Sequence, residues 1–285
     1  MKIVPFVALL ILAAGTACGE RAEPTGPSVR IYPVTVHGAT EQETVVRRPP
    51  RRIVPLGSGP HQILRALGLQ RRTITVNGDL VGLSLVAEIR KARPELIVAS
   101  GDSDPLDLAR ARSATHAAVY VQPDTSLADV ERSIDDIGLL TGRPVAARKL
   151  SAAIARTQHR VAARLSGYPI VPTFVDLGGF TTVGSRSLLG DLVSSARGKD
   201  VAGPSPEQGP FPLGRLARLD PHAYVATADS GTSLKKLRGD PRTKRLTAVR
   251  SGRFGVVRDS LLQPGPQAGA ALEQIARILH PDAFR

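Results

Sequence analysis

The chain has no tryptophan, one methionine, one cysteine and only 4% aromatic residues in 285 positions. A lone cysteine, Cys18, excludes an internal disulfide and leaves no cysteine pair for zinc. With so few rings, the core has to be built from Val, Leu, Ile and Ala. Catalytic signatures are missing too. There is no Gly-x-Gly-x-x-Gly, phosphate-loop Gly-Lys-Ser/Thr, His-Glu-x-x-His or Gly-x-Ser-x-Gly pattern. Gly57-Ser58-Gly59 follows an apolar run but lacks the flanking spacing of a nucleophile turn. The six histidines (His37, His61, His116, His159, His222, His280) share no metal-ligand spacing. His61 alone falls where a strand-end loop meets a helix start, a place an axial haem ligand would suit. No residue set supplies a nucleophile together with a base, which points away from an enzyme. Acidic residues are in the minority, 25 against 38 Lys and Arg, for a formal charge of +13. The arginines are scattered over many segments, as on a solvated surface, and no nucleic-acid partner is expected.

Residues 1–18 read as a signal segment. Met1-Lys2 is basic, Ile3 to Ala14 is apolar apart from Pro5, and Gly15-Thr16-Ala17-Cys18 closes with small residues. The apolar stretch is too short to span a membrane comfortably. Its ending is similar to a bacterial lipoprotein cleavage box, although Gly15 stands where Leu or Val is usual. The expectation is lipidation at Cys18, anchoring the mature chain to the outer face of a membrane. Residues 19–30, rich in Gly and Pro, read as a flexible tether.

From there, short apolar runs alternate with helical periodicity. Ile31–Val36 and Thr44–Val46 read as a hairpin, followed by strands at Ile53–Leu56, Thr73–Val76, Leu96–Ala99 and Ala118–Val121. Helices are expected at His61–Leu67, Ser84–Ala92, Leu106–Arg112 and Leu127–Leu140. The stretch from Thr141 to Gly167 reads as the longest helix. Pro144 suits its first position and Gly167 a left-handed residue past its end. Leu150, Ile154, Thr157, Val161 and Leu165 form one apolar stripe, with Arg156, Arg160 and Arg164 on another face. The alternation then restarts with strands at Thr173–Leu177, Ala223–Thr227 and Phe254–Val257. Helices are expected at Ser187–Ala196, Leu213–Leu219, Ser233–Leu237 and Ala268–Leu279, and a Pro/Gly-rich loop at Gly203–Pro212. One internal echo supports two similarly wound halves: Arg93-Pro94 through Asp102-Ser103 parallels Asp220-Pro221 through Asp229-Ser230. Alternation of this kind implies parallel sheets.

Several pieces, in order, resemble the class III substrate-binding proteins of ABC importers. They are Tyr32 to Val36, Pro49-Pro50-Arg51-Arg52-Ile53-Val54, Ile63 to Leu69, Arg93 to Val98, Leu139 to Arg143, Gly265-Pro266 and His280 to Phe284. The resemblance implies an α/β fold of two parallel-sheet (Rossmann-like) lobes joined by a single long rigid α-helix, with a ligand cleft between them. The lobes would be 31–141 and 168–285, and the joining helix 142–167. The function it implies is capture of an iron-siderophore, haem or cobalamin-like ligand, without a cofactor or bound metal of the protein's own, by a monomer that meets an ABC permease. The alternative is a non-transport binding protein whose basic surface holds a polyanion or envelope component.

Open α/β sheets bind ligands beyond the carboxyl ends of their strands. By that rule the candidate ligand residues are Ser58, His61, Asp102, Phe180, Thr181, Thr182, Arg186, Asp229 and Arg258. A basic cleft wall would favour an anionic ligand. Relatives carry a permease-docking glutamate on each lobe. Here the first position holds Ala87, with Glu88 beside it as the candidate, and the second holds Gly214, followed by Arg215. The paired-glutamate scheme is therefore not expected.

Overall fold

The computed structural model describes residues 31–40, 42–77, 80–204 and 210–285. The expected signal segment, Cys18 and the tether lie outside the described residues, as does half of the Gly203–Pro212 loop.

Strands β1 (Val34–His37) and β2 (Glu43–Val46) form the expected antiparallel hairpin, with Val34 opposite Val46. Their alternation turns Val34, Val36, Thr44 and Val46 inward. Thr44 donates to the Val119 carbonyl at 2.7 Å, which satisfies a hydroxyl that burial would otherwise strand. The first parallel sheet runs β3 (Ile53–Leu56), β4 (Leu96–Ala99), β5 (Ala118–Val121). A second, four-stranded parallel sheet has the order β7 (Gly198–Asp200), β6 (Val171–Asp176), β8 (Ala223–Thr227), β9 (Phe254–Val257). Strands β3, β4 and β8 are buried at every position, as expected where helices cover both faces of a parallel sheet.

Two expectations are corrected. Thr73–Val76 is not a strand; only Thr73 bridges Ile53, with Ile74 N–H donating to the Ile53 carbonyl at 2.8 Å. The chain then leaves the sheet edge, and Thr75 and Val76 wall a cavity instead. Strand β7 was not expected, because Gly-Lys-Asp carries no apolar alternation. Gly198 is required there by space: a Cβ would lie 2.5 Å from Val193 Cγ1.

The first lobe carries helices α1 (Ser58–Ala66), α2 (Gly82–Ala92), α3 (Pro105–Thr115) and α4 (Leu127–Thr141). Helix α5 (Pro144–Arg164) follows. The second lobe carries α6 (Leu188–Ser195), α7 (Leu213–Leu219), α8 (Leu234–Gly239), α9 (Thr247–Ser251) and α10 (Ala268–Leu279). Gly142, left-handed at φ 74°, ends α4, and Arg143 N–H returns to the Gly138 carbonyl at 2.7 Å. This tight turn folds α5 back along α4. The two approach so closely at Gly138 that a Cβ there would meet Ala147 Cβ at 2.2 Å.

The stripe expected on α5 is the face that packs: Ile154, Val161 and Leu165 are buried, together with Ala147 and Ser151. Ser151 donates to Asp135 of α4 at 2.9 Å. On its other side α5 meets α10, where Arg160 lies 3.4 Å from Glu273. Arg156, Arg160 and Arg164 face solvent as the spacing predicts.

One apolar core contains residues of α4, α5, α6 and α10 and of both sheets. Two smaller cores belong to one lobe each, the first around Val54, Ile89 and Ile97, the second around Phe174, Leu216 and Tyr224. The lobes are also clamped by polar contacts. Asp191, in the first turn of α6, accepts the Leu127 N–H of α4 at 2.8 Å, so one carboxylate serves two helix N-termini. Gln122 Nε2 donates to the Pro264 carbonyl at 2.6 Å.

Two expected outcomes follow from this packing. Gly138→Val, which forces a branched side chain into Ala147, lowers unfolding free energy by about 3 kcal/mol in urea denaturation; a change under about 0.5 kcal/mol would refute the close approach. Asp200 is buried at the end of β7, with Oδ1 accepting the Ala202 N–H and Oδ2 unpartnered. Burial pushes its carboxyl up to about 6. The folded state therefore prefers the protonated acid, and this stability is present below about pH 4 and lost as pH rises towards about 6. The loss should amount to about 3 kcal/mol, and Asp200→Asn should flatten that part of the stability profile; an unchanged slope would count against it.

Candidate ligand cavity

Strand β3 delivers its chain to the carboxyl edge of the first sheet, where Gly57 turns it into α1 at φ 99°. Only glycine fits, since a Cβ would sit 2.4 Å from Ser100 Oγ on the neighbouring strand end. No side chain caps α1. Strand β4 ends at Ala99, and the loop beyond it returns through a Ser103 N–H to Ser100 carbonyl bond of 3.1 Å. Asp104 then caps α3, accepting from Leu106 N–H at 2.7 Å and Asp107 N–H at 3.0 Å.

Between these two strand ends and helix α2 lies a cavity of about 760 Å³. Ser58, His61, Gln62, Ser103 and Asp104 contribute polar groups to it, and Leu80, Val81 and Leu85 form an apolar side. Its volume is in the range of small-molecule sites, about 300–1,000 Å³. Asp107 is fixed at its base, with Oδ2 accepting Gly82 N–H at 2.7 Å and Arg110 Nη1 3.4 Å from Oδ1. Asp124 lies behind the loop and accepts Gly101 N–H at 3.1 Å. Burial, with smaller contributions from Asp102 and Asp129, holds the Asp124 carboxyl above its ordinary value. Among the described residues, no three His, Cys, Asp or Glu side chains converge to hold a metal ion.

Of the residues singled out in the sequence, Ser58, His61 and Asp102 line this cavity; Phe180, Thr181, Thr182, Arg186, Asp229 and Arg258 do not. Those six belong to loops of the second sheet. Asp176, at the end of β6, stitches these loops together. Its Oδ1 accepts the N–H groups of Gly178 (2.8 Å) and Phe180 (3.1 Å), and its Oδ2 accepts the hydroxyls of Tyr224 and Thr232 (both 2.8 Å). Burial, and then the charge of Asp176, hold the Tyr224 phenol far above its ordinary range. Phe180, left-handed at φ 63°, packs against the core of its own lobe. Thr182 is buried, and Asp229 N–H is taken by Asp259 Oδ2 at 2.9 Å. Arg186 and Arg258 are exposed. Among the described residues no lysine or arginine lines this cavity.

Gln62, Asp107 and the residues of α2 escaped the sequence reading. Strand-end reasoning finds the first loop residues but does not tell which helix folds over them. Glu88, on α2, pairs with Lys91 Nζ at 2.5 Å. At the second docking position Gly214 is exposed on α7, and the Arg215 guanidinium stacks over the Phe211 ring at 5.2 Å.

Residues 85–261, well over half the chain, match the family model described as periplasmic binding protein. An uncharacterized ABC transporter substrate-binding lipoprotein of Bacillus subtilis (strain 168) is 21% identical, covering 98% of this chain and 95% of that protein. Among solved structures, CeuE of Helicobacter pylori with nickel(II) bound superposes with a TM-score of 0.76 at 17% identity, over 88% of this chain and 90% of that one. An ABC-type Fe3+-hydroxamate transport protein from Saccharomonospora viridis gives 0.69 at 21% identity, over 89% and 99%. The shared fold is the two-lobe fold of binding proteins rather than that of an enzyme. The chain belongs to the periplasmic binding protein family.

Proposed function

We propose that this protein is the extracytoplasmic solute-binding component of an ABC importer, and that its ligand is an iron-siderophore, haem or cobalamin-like molecule. The observation that carries this reading is the cavity of about 760 Å³ at the carboxyl edge of the first sheet. It lies where parallel sheets bind ligands, in a chain whose two sheets share one core around α5. The related lipoprotein of Bacillus subtilis and the hydroxamate transport protein support the same class. Anchoring through a lipid at Cys18 and work as a monomer belong to this proposal. A permease partner would have to be met without an acidic group at Ala87 or Gly214, leaving Glu88 as the candidate contact on the first lobe.

A second reading, binding of a polyanion or envelope component, has one observation in its favour. Arg148, Lys149 and Arg156 of α5 line a shallow groove of about 320 Å³ beside Val145, which is 66% exposed. Binding of that kind weakens steeply with salt.

Titration of the purified protein with ferric hydroxamates, haem and cobalamin, followed by their visible absorbance, should give at least one micromolar or tighter complex. Failure of all three, together with salt-sensitive binding to an anionic polymer, would replace the first reading by the second. Because α5 lies in the shared core, small-angle scattering should show little compaction on ligand binding; a large decrease in radius would contradict a rigid strut.

A further inference from the structure

We infer that the cavity selects a cationic ligand, an organic cation or a positively charged metal chelate, an inference that rests on the binding-protein reading above and narrows it. The chain as a whole carries a formal charge of +13. Its cavity nevertheless has Asp102, Asp104 and Asp107 in the wall and, among the described residues, neither lysine nor arginine. Charge of opposite sign to the whole surface has been gathered in one concave place, where walls of low dielectric focus its field.

The three carboxylates are not equally available. Asp107 is the most compensated, by Gly82 N–H and by Arg110. Asp104 commits Oδ1 to the first turn of α3. Asp102 is exposed on its loop, receives only the neutral hydroxyl of Ser100, and has no ion-pair partner among the described residues. Two opposing contributions must be set against them. The uncapped start of α1 and the start of α3 each present the equivalent of roughly half a positive charge. Three carboxylates against about one positive charge from the helix starts and one from Arg110 leave the wall negative by about one charge. The upward displacement of Asp124 has the same sign, since Asp102 adds to the effect of burial.

The remaining polar groups point the same way. Ser58, Ser100 and Ser103, which also line the cavity, offer oxygens. A ligand rich in N–H or O–H donors would satisfy these acceptors. A bare metal ion would not suit, because no three ligating side chains converge among the described residues. Leu80, Val81, Leu85 and Leu108 require in addition an apolar body. The ligand class is therefore a cationic, donor-bearing group on a partly apolar frame.

Two measurements test this separately from the transport reading. The first compares three ferric chelates by isothermal calorimetry: monocationic ferrioxamine B, neutral ferrichrome and trianionic ferric enterobactin. The expected order is cation first and trianion last. Asp102→Asn should weaken ferrioxamine B about three- to tenfold, and Asp102→Lys should weaken it further, while each change weakens ferrichrome less than it weakens ferrioxamine B. Tightest binding of the trianion, or indifference of the cation to both variants, overturns the inference and leaves the binding-protein reading standing. The second needs no ligand: paramagnetic broadening of the Ser58 and Ser103 amide signals by an amine-bearing and a carboxylate-bearing nitroxide. The amine should broaden them several-fold more, and Asp102→Lys should abolish the preference. Equal broadening overturns the inference whatever binds. If the amine is preferred but no chelate binds, the chelate part of the transport reading fails and the charge assignment stands.

Discussion

The close approach of α4 and α5 at Gly138 is the constraint on which the rest of this structure depends. Only a residue without a Cβ lets Ala147 reach the α4 backbone. That contact lays the length of α5 against the first lobe and frees its other side for α10. The shared core then forms around α5 from both directions, with Ile154, Val161 and Leu165 as its axis. Asp191 adds a directional element, because a carboxylate carried by the first turn of α6 and bound to the N-terminus of α4 ties the two helices together as apolar packing cannot. Two small sheets, of three and four strands, thereby share one apolar core.

Much of this was legible in the sequence because parallel strands leave a simple trace. Ala118–Val121, Ala223–Thr227 and Phe254–Val257 are short apolar runs between turn residues, and each is a strand over the expected span. Helices Leu213–Leu219 and Ala268–Leu279 also coincide with their periodicity. The errors share a cause. Thr73–Val76 has strand composition, yet after Thr73 its neighbours are cavity-lining groups rather than another strand. Strand β7 has no apolar signal, because it is specified by the space Val193 leaves for Gly198. Both depend on what lies beside the segment, which local pattern does not encode.

The candidate site divides in the same way. Loops at strand ends can be named from sequence, which brought in Ser58, His61 and Asp102. Which loops stay open cannot, since that depends on hydrogen bonds between distant residues. Asp176 reads as an ordinary strand-end acid, yet its four bonds close the loops around Phe180 and Thr232. Charge shows a similar separation of levels. The positive total describes the outer surface, where the arginines of α5 stand in solvent, and says nothing about a wall built from three aspartates.

The internal echo acquires a meaning from this contrast. Arg93 and Asp220, each just before a proline, adopt the same left-handed backbone, at φ 46° and 39°. The residue before proline is ordinarily driven into extended geometry, so the coincidence marks one architectural solution used twice. Each then feeds a strand, β4 or β8, flanked by parallel neighbours on both sides. Beyond β4 the turn opens onto the cavity. Beyond β8 the matching turn is occupied by the protein's own groups, with Asp259 on the Asp229 amide and Asp176 on the Thr232 hydroxyl. Of these two pseudo-equivalent turns, one is closed by hydrogen bonds within the protein and the other borders an open cavity.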